Sequence, residues 1–233
     1  MKINFKNGRF IPLIIIVLIY ISGLIFIPYF TNKLFSINNT YTSIIISLSS
    51  NIISLIAILL YVSRNKINNM DKVNKMPFIK SVFWGIIGFF ALIILQMILG
   101  IILYFLSKIY GFDYTSQNTA FLSKIVKAYP VYLIMPIIFA PIAEEIVFRK
   151  AIFGYFNDIL YGTNNIVKFL LSGVLTGIIF GLPHDGFSPL MIVYIIMSLV
   201  FSGLYTYTKN IVTPITAHLL MNTAVMLAQI INN

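Results

Sequence analysis

The chain has 233 residues, of which 59% are hydrophobic and 9% are charged, and its mean hydropathy is +0.95. This composition excludes an ordinary soluble domain and predicts an all-α polytopic membrane protein. The absence of cysteine excludes disulfides, thiolate nucleophiles and cysteine-ligated zinc, and we attribute the net charge of +10 to membrane topology rather than to nucleic-acid binding.

Uncharged apolar runs predict about seven transmembrane helices, with six and eight as the alternatives. The runs cover 10–32, 41–63, 81–107, 128–143, 169–183, 186–208 and, apart from His218, 210–233. The runs 128–143 and 169–183 are short and reach spanning length only with the polar residues beside them. The first run follows basic residues as a signal peptide does, but its length of about 20 residues and the lack of a small-residue cleavage site favour a retained span.

The distribution of Lys and Arg predicts a cytoplasmic N-terminus in a cell membrane. With that orientation, twelve of the sixteen basic residues lie inside, as the positive-inside rule requires. The basic segment 64–80 is interpreted as a topology anchor, with attraction to anionic headgroups as the alternative.

Residues 1–233 are predicted to form one integral-membrane domain, because the chain has no internal repeat and no low-complexity linker. The first part, 1–125, is interpreted as scaffold spans, and 126–233 as the catalytic core. The polar connector 108–129 is expected to be a plain outer loop, and a surface-lying amphipathic helix is the alternative.

The few carboxylates and imidazoles carry the strongest functional signal. Glu144, Glu145, His184 and His218 are the only Glu and His residues of the chain, and all lie in or beside apolar, helix-length runs. An ionisable group within a membrane segment costs several kcal/mol, so it is rarely kept there without a partner or a function. These residues are therefore predicted to form a reaction centre.

Prolines precede these groups closely along the chain: Pro141 before Glu144, Pro183 before His184 and Pro214 before His218. Proline removes a backbone donor, which a membrane helix tolerates where it faces protein or a water-filled cavity. If unbroken spans had the predicted bounds, the three groups would lie at different depths. We therefore expect proline-broken helices around a membrane-embedded site, and simple packing kinks are the alternative.

Helical spacing divides the roles within the first group. Glu145 and Arg149 are i,i+4 neighbours and suit an ion pair, whereas Glu144 points about 100° away and is left as a general base. The alternatives are a cytoplasmic-end anchor for Arg149 and a transporter's ion-coupling site for the carboxylates.

His218 and Asn222 are also i,i+4 and share a helix face, from which an imidazole and an amide can stabilise an oxyanion or position a metal. His184 comes from a third segment, and its neighbour Asp185 is interpreted as a loop residue rather than as the orienter of His184. This set suits amide hydrolysis by activated water. Glu144, His184 and His218 also match a zinc set of two His and one Glu, although the HExxH spacing is absent.

The motifs Glu144-Glu145-x-x-Phe148-Arg149, Phe180-x-x-x-His184 and His218-x-x-x-Asn222 resemble, in this order, the signature of the CAAX-protease and bacteriocin-processing (CPBP, or Abi) family of intramembrane endopeptidases. The resemblance covers about 80 residues. It implies that Glu144 activates water with help from His184, that His218 and Asn222 hold the oxyanion, and that Glu145 and Arg149 are essential support. It leaves open whether Zn²⁺ is bound or the mechanism is metal-free.

The many Lys, Ile and Asn residues resemble the composition of low-GC Gram-positive bacteria, so a short membrane-associated peptide is the expected substrate. The alternatives are a non-catalytic membrane scaffold or bacteriocin-immunity protein with the same fold, and an ion-coupled transporter. The expected partners are the lipid bilayer and a membrane-associated peptide or protein, with no nucleic acid.

Overall fold

Eight helices make up most of the protein. The computed structural model describes residues 3–231, and seven helices of this part are long and apolar enough to cross a membrane. They are α1 (Phe10–Leu34), α2 (Thr40–Arg64), α3 (Phe78–Tyr110), α5 (Pro130–Ile159), α6 (Asn165–Asp185), α7 (Met191–Thr208) and α8 (Val212–Ile231), and the shorter α4 (Gln117–Ala128) lies between α3 and α5. The prediction of an all-α membrane protein with seven spans is confirmed.

The connector 108–129 is not the plain loop that its sequence was expected to form. Gly111 ends α3 in the left-handed conformation, and α4 follows after a short turn. Ser116 caps α4 by accepting a hydrogen bond from the Thr119 N–H over 3.1 Å. The apolar side of α4 packs inward, with Val126 buried. The Ser116 cap and the amphipathic pattern of α4 therefore explain why this part of the connector is helical.

The proline-rich part of α5 departs from regular α-helical geometry. Two stretches, Met135–Phe139 and Glu145–Phe153, are π-helical, and a short α-helical stretch, Ala140–Glu144, joins them. Such wide turns are frequent at functional sites. Because α5 continues to Ile159, Glu144 lies near its middle and not at its end.

Small residues bring α6 and α7 into close contact. Gly173, Gly177 and Gly181 lie one turn apart on α6, and a Cβ atom at Gly177 would lie 2.6 Å from the Cα atom of Ile195 on α7. Small residues at this spacing let membrane helices approach closely. The contact places the end of α6, which carries His184, beside Tyr194 of α7.

Segment 65–77 is folded into the protein instead of lying outside it. Asn68 is fully buried and donates from Nδ2 to the Lys150 carbonyl over 2.6 Å. Asp71 pairs with the Lys150 ammonium at 2.8 Å. Burial alone would raise the pKa of Asp71, but the hydrogen bond and charge of Lys150 outweigh it and hold the pKa below its usual value. The same segment also contacts the turn before α8, where the Met76 carbonyl accepts a hydrogen bond from Nδ2 of Asn210 over 2.9 Å.

Candidate active site

A cavity of about 670 Å³ brings the predicted residues together. Glu144 of α5, His184 of α6, and His218 and Asn222 of α8 all line it, and apolar side chains form most of the remaining wall. Glu145 and Arg149 do not line this cavity; both are fully buried behind it. The three motifs therefore meet at one cavity, with four of the six residues facing it.

Glu144 is the carboxylate that faces the cavity. Its side chain is nearly buried, and its Oε2 atom lies 3.7 Å from Nε2 of His218. The Tyr20 phenol of α1 also interacts with this carboxylate. Glu144 therefore has both a cavity-facing position and a polar surrounding, which a group that takes a proton from water requires.

Glu145 contacts both His218 and Arg149. Its Oε1 atom accepts a hydrogen bond from His218 Nδ1 over 2.8 Å, and its Oε2 atom lies 3.2 Å from Nε of Arg149. The predicted pairing of Glu145 with Arg149 is present. The bond to His218 was not anticipated, and it joins α5 to α8.

Arg149 is compensated by aromatic rings more than by hydrogen bonds. Its guanidinium carbon lies 4.8 Å from the ring centre of Phe180 and 4.9 Å from that of Phe201. Among the residues that the structure describes, none accepts a hydrogen bond from its three nitrogens. Cation–π contacts of this kind gain strength when the charge is desolvated. Arg149 is thus an internal counter-charge, not a residue anchored at the membrane surface.

The hydrogen bond to Glu145 fixes the orientation of His218. An ionised carboxylate only accepts, so Nδ1 of His218 carries the hydrogen atom and Nε2 is directed towards Glu144 and the cavity. The ring also stacks on Phe201, with 4.9 Å between ring centres and an interplanar angle of 25°. His218 therefore presents one defined nitrogen to the cavity.

His184 is oriented by its own helix. Its Nδ1 atom lies 2.7 Å from the carbonyl oxygen of Phe180, one turn earlier, which requires the hydrogen atom on Nδ1 and leaves Nε2 free to act in the cavity. Asp185, which we expected in a loop, is the last residue of α6. It does not orient His184 but bonds to other elements, as described below.

Asn222 donates a hydrogen bond to the Pro136 carbonyl, which has no backbone donor within the helix. In the π-helical turn, the Ala140 N–H bonds to Met135, and the next donor would come from position 141, which is proline. The carbonyl of Pro136 instead accepts from Nδ2 of Asn222 over 2.8 Å. The amide nitrogen of Asn222 has a second hydrogen, and the residue lines the cavity.

The first and third spans also contribute to the cavity, which the sequence analysis did not predict. Tyr20 of α1 and Gln96 of α3 line the cavity. Gln96 donates to the sulfur atoms of Met197 and Met221 at 3.3 and 3.2 Å. Gln96 is the only amide side chain in the apolar run 81–107, and this isolation could have marked it as a candidate site residue.

A second, smaller cavity of about 30 Å³ lies on the other side of Glu144. Asn51 and Ser54 of α2 line it together with Tyr20. A cavity of this size with several polar groups can hold one water molecule.

The zinc alternative stays a prediction. Among residues 3–231 no three His, Asp or Glu side chains are grouped closely enough to hold a metal ion as arranged. The Nδ1 atoms of His218 and His184 are engaged with Glu145 and with a carbonyl, which leaves Nε2 of each ring towards the cavity, as in many zinc-bound histidines. No step below depends on a metal.

Comparisons with known proteins agree with the motifs. Residues 127–224 match the family described as Type II CAAX prenyl endopeptidase Rce1-like, and this segment contains all six predicted site residues. The resemblance to CAAX proteases is confirmed. No solved structure matches the chain.

Two curated bacterial proteins are similar to it. The membrane-embedded CAAX protease MroQ of Staphylococcus aureus (strain USA300) is 36% identical over 149 residues, which cover 64% of this chain and 58% of MroQ. YdiL of Bacillus subtilis (strain 168), a membrane peptidase by name, is 39% identical over 150 residues, which cover 64% of this chain and 57% of YdiL. The chain thus spans less than two thirds of the length of either relative.

Proposed function

We propose that this chain, whose residues 127–224 match the Rce1-like family, is an intramembrane endopeptidase that uses a Glu144-activated water. The observation that carries the proposal is the single cavity lined by Glu144, His184, His218 and Asn222. Its apolar wall suits a membrane-associated peptide or protein, and its few polar groups are those that amide hydrolysis needs.

The first step is the attack of water on the peptide carbonyl. Glu144 takes a proton from the water, whose oxygen forms a bond to the carbonyl carbon, and Nε2 of His184 helps to orient that water. The carbonyl oxygen becomes an oxyanion, which Nε2 of His218 and the amide of Asn222 stabilise. Because Nδ1 of His218 is already bonded to Glu145, donation from Nε2 uses a ring that carries hydrogen atoms on both nitrogens, and this protonated form is part of the proposal.

The second step breaks the carbon–nitrogen bond. The proton held by Glu144 passes to the leaving amine, and the oxyanion collapses to a carboxyl group, so the atoms of one water are divided between the two products. Glu145 and Arg149 act behind the cavity, where they hold His218 and balance the buried charge. With His218 protonated, the two negative charges of Glu144 and Glu145 balance the two positive charges of Arg149 and His218. This balance limits the free-energy cost of burying the four groups.

The proposed substrate is a short membrane-associated peptide. The relatives come from Gram-positive bacteria, in agreement with the composition of the chain. The cell membrane is the proposed location, with the N-terminus inside. A bacteriocin-processing or immunity role is a finer possibility within this proposal, and a non-catalytic scaffold is its competitor.

The test is cleavage by purified protein in lipid nanodiscs. A mixture of synthetic membrane-associated peptides is incubated in H₂¹⁸O, and mass spectrometry follows new C-termini. We expect ¹⁸O in the new carboxyl groups with the wild type and no cleavage with His184→Ala. Folded wild-type protein that cuts no peptide while His184→Ala retains the cellular function would support the scaffold instead.

A further inference from the structure

Asp185 joins three elements at the edge of the cavity. Its Oδ2 atom accepts hydrogen bonds from Ser116 Oγ at 2.8 Å and from the Tyr194 hydroxyl, and its Oδ1 atom accepts from the Asn118 backbone N–H at 3.2 Å. Ser116 is the N-cap of α4, Asn118 lies in the first turn of α4, and Tyr194 belongs to α7. One carboxylate therefore docks the start of α4 on the ends of α6 and α7.

This docking is electrostatically favourable. The first turn of a helix has unpaired N–H groups and the positive end of the helix dipole, so a carboxylate there is stabilising. Since Tyr129 and Pro130 lead directly from α4 into α5, the helix is held at both ends.

The docked helix forms part of the cavity wall. Asn118, Thr119, Phe121 and Leu122 of α4 line the cavity, whereas the cationic side chains Lys124 and Lys127 are exposed and do not line it. The face that α4 presents to a bound peptide is therefore uncharged, and its apolar part consists of Phe121 and Leu122.

We propose that α4 is a side-chain subsite of the peptide cavity that takes an apolar residue of the substrate, and that Asp185 is the positioning residue that holds this subsite in place. The inference rests on the proposed function. It assigns a specificity role to the connector that the three family motifs do not include.

The first experiment tests the docking without any substrate. Backbone hydrogen exchange of residues 117–122 is measured in nanodiscs for wild type, Asp185→Ala and Asp113→Asn. Asp113 is the matched control, because it bonds only to Thr115 in the same connector and does not line the cavity. We expect exchange at 117–122 to rise about tenfold in Asp185→Ala alone. Equal exchange in all three proteins would overturn the docking role, whether or not the chain is a protease.

The second experiment tests the subsite. Leu122→Ala enlarges the proposed pocket, and Lys124→Ala alters the outer face of the same helix. With peptides that vary one apolar side chain, we expect Leu122→Ala to shift kcat/KM about tenfold towards bulkier residues, and Lys124→Ala to keep the wild-type order.

The effect of Asp185→Asn separates positioning from catalysis. We expect a rise in KM for apolar peptides with kcat within about threefold of wild type, because the cavity wall is loosened and the reacting groups are not. Unchanged selectivity in Leu122→Ala, or a loss confined to kcat in Asp185→Asn, contradicts the proposal. If no variant or wild type cleaves any peptide, the proposed function fails, and the exchange result still decides the docking.

Discussion

Nδ1 of His218 and Oε1 of Glu145 lie 2.8 Å apart and join the last span to the span that carries the carboxylate pair. This bond decides which imidazole nitrogen faces the cavity. It also means that Glu145 is more than the partner of Arg149 that the i,i+4 spacing predicts, because the same carboxylate contacts both Arg149 and His218.

Glu145→Gln should therefore weaken both chemistry and folding. The amide removes the anionic acceptor that orients His218, and it leaves Arg149 without a contacting anion. We expect kcat to fall about 100-fold, within the range typical of acid–base and oxyanion groups, together with a lower Tm. Steady-state kinetics and thermal unfolding in the same nanodiscs provide the check. Wild-type kcat in a folded Glu145→Gln variant would show that the His218 contact is not used.

Arg149→Lys tests the aromatic surround of the guanidinium. A lysine ammonium cannot stack as a plane between Phe180 and Phe201, so the conservative exchange should still destabilise the protein.

Removing one partner of a buried pair costs about 3–5 kcal/mol, whereas removing both can be much less harmful. The double variant Glu145→Gln/Arg149→Met should therefore have a higher Tm than the two single losses predict. Strict additivity in this cycle would contradict coupling between the two side chains.

The Asp71–Lys150 pair predicts an acid limit of stability. Its favourable contacts lower the pKa of Asp71 in the folded state, so its contribution is present above the unfolded pKa and is lost as pH falls through the folded one. We expect Tm to fall as the pH drops below about 4, the ordinary range of an aspartate, and Asp71→Asn to remove that part of the pH dependence. Asp113→Asn, at an exposed site, should keep stability near wild type at neutral pH. A Tm of Asp71→Asn equal to wild type at pH 7 would rule out a stabilising pair.

Asn222→Asp hardly changes the size of the side chain, but it should reduce both activity and stability. The carboxylate cannot donate to the Pro136 carbonyl, and it places a negative charge where the oxyanion is proposed to form. We expect a loss of about 100-fold or more in kcat and a reduced Tm. Thr223→Ala is the matched control, since Thr223 bonds only to the Leu219 carbonyl of its own helix and does not line the cavity. If Asn222→Asp and Thr223→Ala behave alike, Asn222 has neither role.

Much of the site follows from the sequence because the membrane makes polar residues expensive. Glu144, His184 and His218 stand out from apolar runs, and helical spacing alone places Arg149 beside Glu145. These predictions need only local periodicity. The assigned roles of the six residues remain predictions that the variants above test.

Other features depend on contacts between segments that are far apart in the sequence, and local sequence patterns do not reveal such contacts. The docking of α4 needs Asp185, which lies more than sixty residues after Ser116. The π-helical turns alter the spacing on which helical-wheel arguments depend. Pro136 and Pro141 did contain a signal: a proline five residues after a carbonyl removes its π-helical donor, so a side chain such as Asn222 must replace it.

The most direct measurement is the cleavage rate of Glu144→Gln in nanodiscs with a peptide that the wild type cuts. Glutamine keeps the shape of the side chain but cannot take a proton from water. We predict a kcat at least about 1,000-fold below wild type, with peptide binding and Tm preserved. A folded Glu144→Gln variant that cuts the peptide within tenfold of the wild-type rate would contradict the central claim that this carboxylate activates the water.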